Sequence, residues 1–415
     1  MPPDVAGAVM QLEVPQASGD APDMDLKTLN ITVCGGGIAG MASALALAQR
    51  GASVTVLERA PALEEVGAGL QVGPNGMAVL EALGLKDKIR ALGTQPEAVE
   101  LVDHRRGQRL MRVPLGGAAE QRWGRPYLNL HRADLLSVLA EAVQAAGVTV
   151  RLGTTVAGRK PNAVLLEDGT TLAADLIVAA DGVRSALRKR MWQGEEVRFT
   201  GQVAWRALVS AERLGGWEMP RYTLLTLGPG KHVVLYRLRE GALINVVAVE
   251  ERETWVEEGW SIPGDPDELR RRFAGWNPVV ERVLSAVEST YQWGLFEHPV
   301  LQHWVEDEVV LIGDAAHPML PFLAQGAVMA LEDAWVLADS LARERDLPSS
   351  LARYQTLRHP RGTRVQSQAA RQARLYHARG PLRPGLHLGM SLVNSLLPDF
   401  APRRFDWLYG MDVTA

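Results

Sequence analysis

The chain has 415 residues, 47% of them hydrophobic, a formal net charge of −4 and one cysteine. Such a length supports a large core, expected here as two interlocked domains. The weak negative charge argues against a nucleic-acid partner. The lone Cys34 excludes an internal disulfide and fits a reducing, cytoplasmic setting.

Residues 1–26 hold no Lys or Arg, several Pro, Gly and Asp, and no apolar run; the first basic residue is Lys27. Residues 1–27 therefore read as a disordered extension, without the charged start and apolar middle of a signal peptide. No apolar run is long enough to cross a bilayer, so stable membrane insertion is not expected. The apolar segment 386–397 is short, is interrupted by His387 and Asn394, and reads as core packing. There is no internal repeat, and no metal site is expected.

In chain order, the first element is a strand at residues 29–33, followed at once by Gly35-Gly36-Gly37-Ile38-Ala39-Gly40 and an alanine-rich helix at 38–49. This is the pattern of a phosphate-binding turn. Gly35 permits the tight turn, Gly37 lets backbone approach a pyrophosphate, and Gly40 lets helix pack on strand. A second strand at 53–57 ends in Glu58, about twenty residues on, where a carboxylate accepts a ribose hydroxyl. A dinucleotide site follows from strand, turn, helix and acid together.

Further along, 133–144 reads as a helix, and 149–152 and 176–179 as strands. Asp168-Gly169 predicts a hairpin between 163–166 and 171–172. From about 195 to 300 the texture changes to strands joined by Gly/Pro turns, at 203–209, 222–227, 232–238 and 243–249. That pattern predicts an antiparallel sheet inserted into the α/β domain and carrying a substrate pocket. Residues 309–312 return to a buried-type strand closed by Gly313-Asp314. A Pro/Gly-rich turn then leads to a helix at about 327–341. Here a carboxylate can accept ribityl hydroxyls, and N–H groups at the helix N-terminus can stabilise charge on a reduced flavin. The dinucleotide is thus read as FAD. The remainder is helical.

At this point the chain resembles the single-component, FAD-dependent aromatic hydroxylases. It is most similar to their salicylate hydroxylase, 3-hydroxybenzoate 6-hydroxylase and 6-hydroxynicotinate 3-monooxygenase branch. The matching pieces are the glycine motif at 35–40, Glu58-Arg59, the 67–75 segment ending in Pro74-Asn75, and His131-Arg132-Ala133-Asp134-Leu135-Leu136. Then come Ala180-Asp181-Gly182-Val183-Arg184-Ser185, the 313–326 segment and Trp407-Leu408-Tyr409-Gly410. They cover roughly residues 28–412 in the family's order.

The resemblance implies an α/β fold like that of para-hydroxybenzoate hydroxylase: a Rossmann-type FAD-binding domain with an inserted antiparallel-sheet substrate domain and a C-terminal helical region. The expected divisions are 28–194 and 301–345 for the FAD domain, 195–300 for the sheet, and 346–415 for the helical end. It implies FAD contacts from Gly35, Gly37, Ile38, Ala39, Gly40, Glu58, Arg59, Gln71, Arg132, Asp181, Asp314, Ala324, Gly326 and Ala327. It also implies NADH or NADPH as donor, O2 and a small aromatic substrate as partners, and a monomer or homodimer. No second glycine fingerprint exists for the donor. In the family Asp181-Gly182 serves FAD and donor alike, with Arg184 near a donor phosphate, and the nearest relatives lean to NADH.

The pocket chemistry rests on the strand after Gly228-Pro229-Gly230. Side chains alternate along a strand, so His232, Val234 and Tyr236 share one face. From the residues alone this is either a reactive pair or a turn-capping histidine with a core tyrosine. The resemblance implies the former, because relatives with His and Tyr at this spacing use them to deprotonate substrate. The flavin C4a-hydroperoxide is a modest electrophile, and a phenolate is far more reactive toward it than a phenol; His or Tyr can take that proton. Arg206 is a candidate for a substrate carboxylate or a structural ion pair. Pro321 and Phe322 are expected at the substrate, and Trp205 and Trp293 as pocket walls or core. Gln71 replaces a relative's histidine and Pro321 a relative's glutamine, so neither relative's substrate is implied.

The expected reaction is hydroxylation of a phenolic or hydroxy-N-heteroaromatic substrate, with or without decarboxylation. The alternatives are epoxidase-like oxygenation of a non-aromatic or quinolone-type substrate, a non-catalytic flavin scaffold, and a flavin halogenase. The halogenase tryptophan signature would fall at 258–263, where its first Trp is replaced by Glu258.

Overall fold

In the computed structural model, which describes residues 24–63, 68–192, 197–253, 262–380 and 382–415, the first strand, Asn30–Cys34, lies inside a six-stranded sheet. The strand order is Val305–Glu306, Val309–Leu311, Leu176–Ala179, Asn30–Cys34, Ser53–Leu57, Thr149–Arg151. All pairings are parallel except the first, which is a short antiparallel edge. Strands buried on both faces read as unbroken apolar runs, which is why Leu176–Ala179 and Val309–Leu311 were legible as such. Helix Ile38–Ala48 covers this sheet and packs on helix Gly326–Arg343 from the far end of the sequence. The halogenase signature falls mostly on residues 258–261, outside the described residues. So does most of the expected extension.

Residues 24–27, assigned to that extension, are part of the fold. Asp25 caps a 3-10 turn at Leu26–Thr28, and Met24 N–H donates to Glu344 O at 3.3 Å. Leu26 is buried in the main core, a burial that stabilises by about 1.5–3 kcal/mol.

A second sheet has eight strands. All four strands expected between 195 and 300 are present, as Arg198–Ser210, Thr223–Gly228, Lys231–Leu238 and Leu243–Glu251. Thr290–Glu297 and Ile262–Gly264 extend one side, and a hairpin from before residue 195, Ala98–Asp103 and Arg109–Pro114, extends the other. Ala98–Asp103 joins in parallel, Leu225 opposite Leu101. The sheet's two faces have different tasks. Trp205, Ala207, Val209, Val233 and Leu235 pack with Phe273 and Trp276 beneath two short helices. Arg206, His232, Val234 and Tyr236 face the other way, into a cavity.

The hairpin predicted at Asp168-Gly169 is present between Ala163–Leu166 and Thr171–Ala173. Gly169 takes a left-handed φ of 84° and Asp168 Oδ1 accepts from Thr170 N–H at 2.9 Å. The C-terminal region is helical as expected. Its 30-residue helix, Leu347–Tyr376, runs from the first sheet to the cavity, and Leu382–Leu396 follows. Among the described residues no helix is long and apolar enough to cross a membrane.

Candidate active site

One cavity of about 1010 Å³ runs between the two sheets, and every proposed cofactor or substrate residue except Gly40 lies on its wall. At one end is the glycine turn. Gly35 has φ 114°, and a Cβ there would sit 2.4 Å from Ala180 O, so only glycine fits. A Cβ on Gly40 would sit 1.9 Å from Gly35 O; this glycine lets helix meet turn rather than touching a ligand. Gly37 has nothing within 4 Å of its would-be Cβ, so the turn presents bare backbone to the cavity. Glu58 Oε2 accepts from Gly36 N–H at 2.6 Å and Oε1 from Ala60 N–H at 2.8 Å. Its carboxylate braces the turn and keeps further lone pairs for a hydroxyl.

Mid-cavity, two acids converge from different strands. Asp181 Oδ2 accepts from Ala186 N–H at 2.9 Å, while Oδ1 is buried without a partner. Burial pushes the Asp181 carboxyl up despite hydrogen bonds from Ser185 and the following backbone. The Asp314 carboxyl is also pushed up by burial, opposed by the nearby Arg132 guanidinium. Ala324, a non-glycine at φ 52°, turns the chain into helix Gly326–Arg343. The open backbone at Gly37, the orphaned Asp181 oxygen and Asp314 make a donor and acceptor set that fits a long, hydroxyl-rich dinucleotide. Gln71 Nε2 reaches Asn129 Oδ1 at 3.3 Å, within a two-stranded ribbon of Gly69–Val72 and Leu128–His131, and Thr223 Oγ1 at 3.4 Å on the eight-stranded sheet.

At the far end, His232, Val234 and Tyr236 do share the cavity face. Tyr236 lies against Gly69, where a Cβ would come within 2.6 Å of its hydroxyl. Burial raises the Tyr236 phenol, partly offset by the positive charge of Arg206. His232 is 2% exposed, and burial, with His377 beside it, holds its imidazole well below the usual range. Its Nδ1 is 2.8 Å from His377 Nε2. The Phe322 ring lies 5.3 Å and the Tyr376 ring 5.4 Å from the His232 ring. Arg206 lies over the Trp293 ring at 4.5 Å.

Residues 28–369 match the FAD binding domain family. The chain is 38% identical over 386 residues to a 3-amino-4-hydroxybenzoate 2-monooxygenase of Streptomyces platensis, covering 92% of this chain and 96% of that protein. It is 34% identical over 396 residues to the 3-hydroxybenzoate 6-hydroxylase of Polaromonas naphthalenivorans, covering 93% and 96%. The chain belongs to the FAD-dependent aromatic monooxygenases. Among solved structures, Klebsiella pneumoniae HpxO complexed with FAD and uric acid superposes with a TM-score of 0.77. The two are 26% identical over 88% of this chain and 92% of that one.

Two expectations for this monooxygenase are refined by the structure. Trp205 is not a pocket wall; it is fully buried on the opposite sheet face and donates to Glu250 Oε1 at 3.1 Å. Trp293 lies behind Arg206 rather than on the cavity surface. Gln372, Tyr376 and the apolar hairpin residues Val99, Leu101 and Met111 also line the cavity, without a local sequence signal for it. His377, which follows the long helix, gave no spacing signal either.

Beneath the flavin-side turn lies a fully buried ionic network. Asp333 Oδ2 accepts from Gly313 N–H at 2.9 Å and lies 2.5 Å from His317 Nε2. Arg358 Nε donates to Asp333 Oδ1 at 2.7 Å and its Nη1 to Glu332 Oε2 at 2.6 Å. Arg361 grips Glu332 in a fork at 2.6 and 2.7 Å and donates to Leu408 O at 3.1 Å. Asn75 Nδ2 donates to Glu332 Oε1 at 2.7 Å. Burial is overcome by Arg361 and Arg358 at Glu332, and by His317 and Arg358 at Asp333, and both carboxyls are held down at about 2.

Proposed function

We propose that this monooxygenase uses NAD(P)H and O2 to hydroxylate a phenol bearing a carboxylate, held between His232, Tyr236 and Arg206. The observation that carries the reading is the single cavity. It joins a dinucleotide-fitting wall, from Gly35 to Asp314, to an imidazole, a phenol and a guanidinium on the opposite sheet. Bound FAD, reduced by the nicotinamide donor, supplies the oxygen-transfer chemistry. The chain's own residues do the rest. Gly35, Gly37, Ile38 and Ala39 receive the pyrophosphate, and Glu58 with Arg59 the adenosine ribose. Arg132, Asp181 and Asp314 serve the linking hydroxyls and phosphates. Ala324, Gly326 and Ala327, at a helix N-terminus, place N–H groups at the flavin edge, with Gln71 flanking it.

His232 accepts the phenolic proton and Tyr236 orients the hydroxyl. Burial keeps His232 neutral near pH 7, which is the form a base requires. Arg206 favours an anionic substituent, and both named relatives act on hydroxybenzoates. Pro321 and Phe322 wall the ring site beside His232, whose ring lies 5.3 Å from that of Phe322. The deciding experiment is NAD(P)H oxidation by the FAD-loaded protein, screened against hydroxybenzoates, aminohydroxybenzoates and hydroxypyridines, with products weighed by mass spectrometry. Stimulated oxidation with gain of one oxygen supports the reading. A preference for uncharged or non-aromatic substrates would overturn it.

A further inference from the structure

Behind His232 the structure continues a polar chain out of the cavity. His232 Nδ1 lies 2.8 Å from His377 Nε2, and His377 Nδ1 lies 3.2 Å from Glu251 Oε1. Both imidazoles are buried, at 2% and 5% exposure, whereas the Glu251 side chain is 33% exposed and pairs with the surface residue Arg379. The line therefore begins in the cavity, crosses the sheet-to-helix seam and ends at water.

The outer carboxylate sets the tautomers of the whole line. A carboxylate only accepts, so His377 Nδ1 carries a hydrogen toward Glu251. Neutral His377 then has a bare Nε2, which accepts from His232 Nδ1–H. His232 is left with a bare Nε2, the acceptor a substrate hydroxyl needs. The Gln202 amide reaches His377 Nδ1 at 3.3 Å, and its Oε1 is buried without a partner. Turning the amide over places that oxygen on the same N–H, so Gln202 agrees with this order. The other titratable or charged groups facing the pair are Tyr376 on the long helix, Tyr236 on the His232 strand, Arg206 across the sheet and Arg379. The two phenols are pushed up by burial, Tyr376 to about 12, so neither competes for the proton near neutrality.

We propose that His377 and Glu251 form a proton exit for His232, linking substrate ionisation in the cavity to bulk water. As the substrate O–H bond breaks, an N–H bond forms at His232 Nε2. The Nδ1 proton of His232 passes to His377 Nε2, the Nδ1 proton of His377 to Glu251, and one proton leaves to solvent. Both rings stay neutral with their tautomers exchanged. The same path run inward reprotonates the product and restores the starting order. His377 acts through His232 and is thus a positioning residue.

This inference rests on His232 being the base, so its test uses the FAD-loaded protein with both His232→Ala and His377→Gln. The readouts are proton release on substrate binding, followed with an indicator dye, the ultraviolet spectrum of bound phenolate, and the rate of flavin reduction. His377→Gln should slow proton release and phenolate formation at least about tenfold, leaving flavin content and substrate affinity within about twofold. Added imidazole should restore part of the rate in His377→Ala. Glu251→Gln should slow release less and shift its pH profile, whereas Glu251→Asp should recover. If His232→Ala abolishes phenolate formation while His377→Gln and Glu251→Gln leave proton release unchanged, the exit path is wrong and the base assignment stands. If His232→Ala itself has no effect, the base assignment fails.

Discussion

Two buried histidine clusters, one against the middle of the long helix and one just past its C-terminal end, use similar groups for opposite purposes. Around His317, two carboxylates are matched by two arginines and every charge is locked in a fork or a charge-assisted bond. Its acids are held at about 2, far from any working pH. Around His232, two imidazoles meet each other and, at the outer end, a carboxylate, and burial holds the His377 imidazole down at about 4, helped by Arg379. Full charges paired with arginine make a rigid and silent scaffold. Neutral rings that each share one proton make a path that can carry it. The difference lies in the partner, not in burial, which the two clusters share.

The largest effect should come from breaking the scaffold. Arg358→Ala leaves Glu332 and Asp333 buried with one guanidinium fewer, and loss of one partner of a buried pair costs about 3–5 kcal/mol. Urea midpoints should fall accordingly, with Gly313-Asp314 loosening and flavin retention dropping together. The pH dependence has a definite sign. Because both carboxyls are depressed in the fold, their contribution is complete above the unfolded values of about 4 and is lost as pH falls through about 2. The depressed His232 and His377 imidazoles act with the same sign, and their share is lost as pH falls below the unfolded value of about 6.5. A stability curve that declines below about pH 6.5 and steepens below about pH 4 fits, and Arg358→Ala should flatten only the lower part; an unchanged lower part would overturn the assignment.

Next in size is the base. His232→Ala should leave flavin reduction near its normal rate and slow hydroxylation by about 10²–10⁴-fold, the span for a positioned base. Donor oxidation would then yield hydrogen peroxide in place of product. Raising the pH toward the substrate's own pKa should recover part of the coupling. Unchanged product per NAD(P)H would make His232 a packing residue, and the two clusters would differ in nothing functional.

The two clusters also differ in how far they could be read from sequence. The glycine turn, Glu58, the Gly313-Asp314 strand end and the four strands of the inserted sheet were legible because their signals are local: runs of apolar residues, period-two alternation, glycines at fixed offsets. The hairpin at 98–114 was not, because Glu100 and Asp103 break its alternation. Glu100 is neutralised only across the strand pair, by Arg109 and Arg112. Asn75 and the Trp407–Gly410 motif were recognised without a role. That role is to meet Glu332 and Arg361 from opposite ends of the chain. His377 stands 145 residues from His232, beyond the end of a helix, and no periodicity connects them.

A smaller effect tests the cofactor wall against both clusters. Glu58→Ala removes the acceptor for Gly36 and Ala60 N–H groups and the proposed ribose contact. FAD affinity should weaken by about 1–3 kcal/mol, the usual cost of losing a hydrogen bond to a charged group. Equilibrium titration of the apoprotein with FAD measures this. An unchanged dissociation constant would confine Glu58 to bracing the turn.

The smallest effect sharpens the contrast most directly, because it adjusts the neutral cluster without removing any of its members. Arg379 is 60% exposed and bonded to Glu251, so its charge is screened by water and worth little as a surface pair. It nevertheless lowers the His377 imidazole, second only to burial. Arg379→Gln removes that cation and frees the Glu251 carboxylate to favour a protonated ring; both changes raise the His377 pKa. The rise should stay under about one pH unit, since exposed pairs couple by roughly 0.2–1 kcal/mol and one unit corresponds to about 1.4 kcal/mol. Imidazole resonances of His377 followed by NMR across pH should show it, while stability, with the His317 scaffold untouched, stays constant. A fall in the His377 pKa, or no change beside an altered urea midpoint, would mean that Arg379 belongs to the scaffold and that the outer end of the line is closed to water.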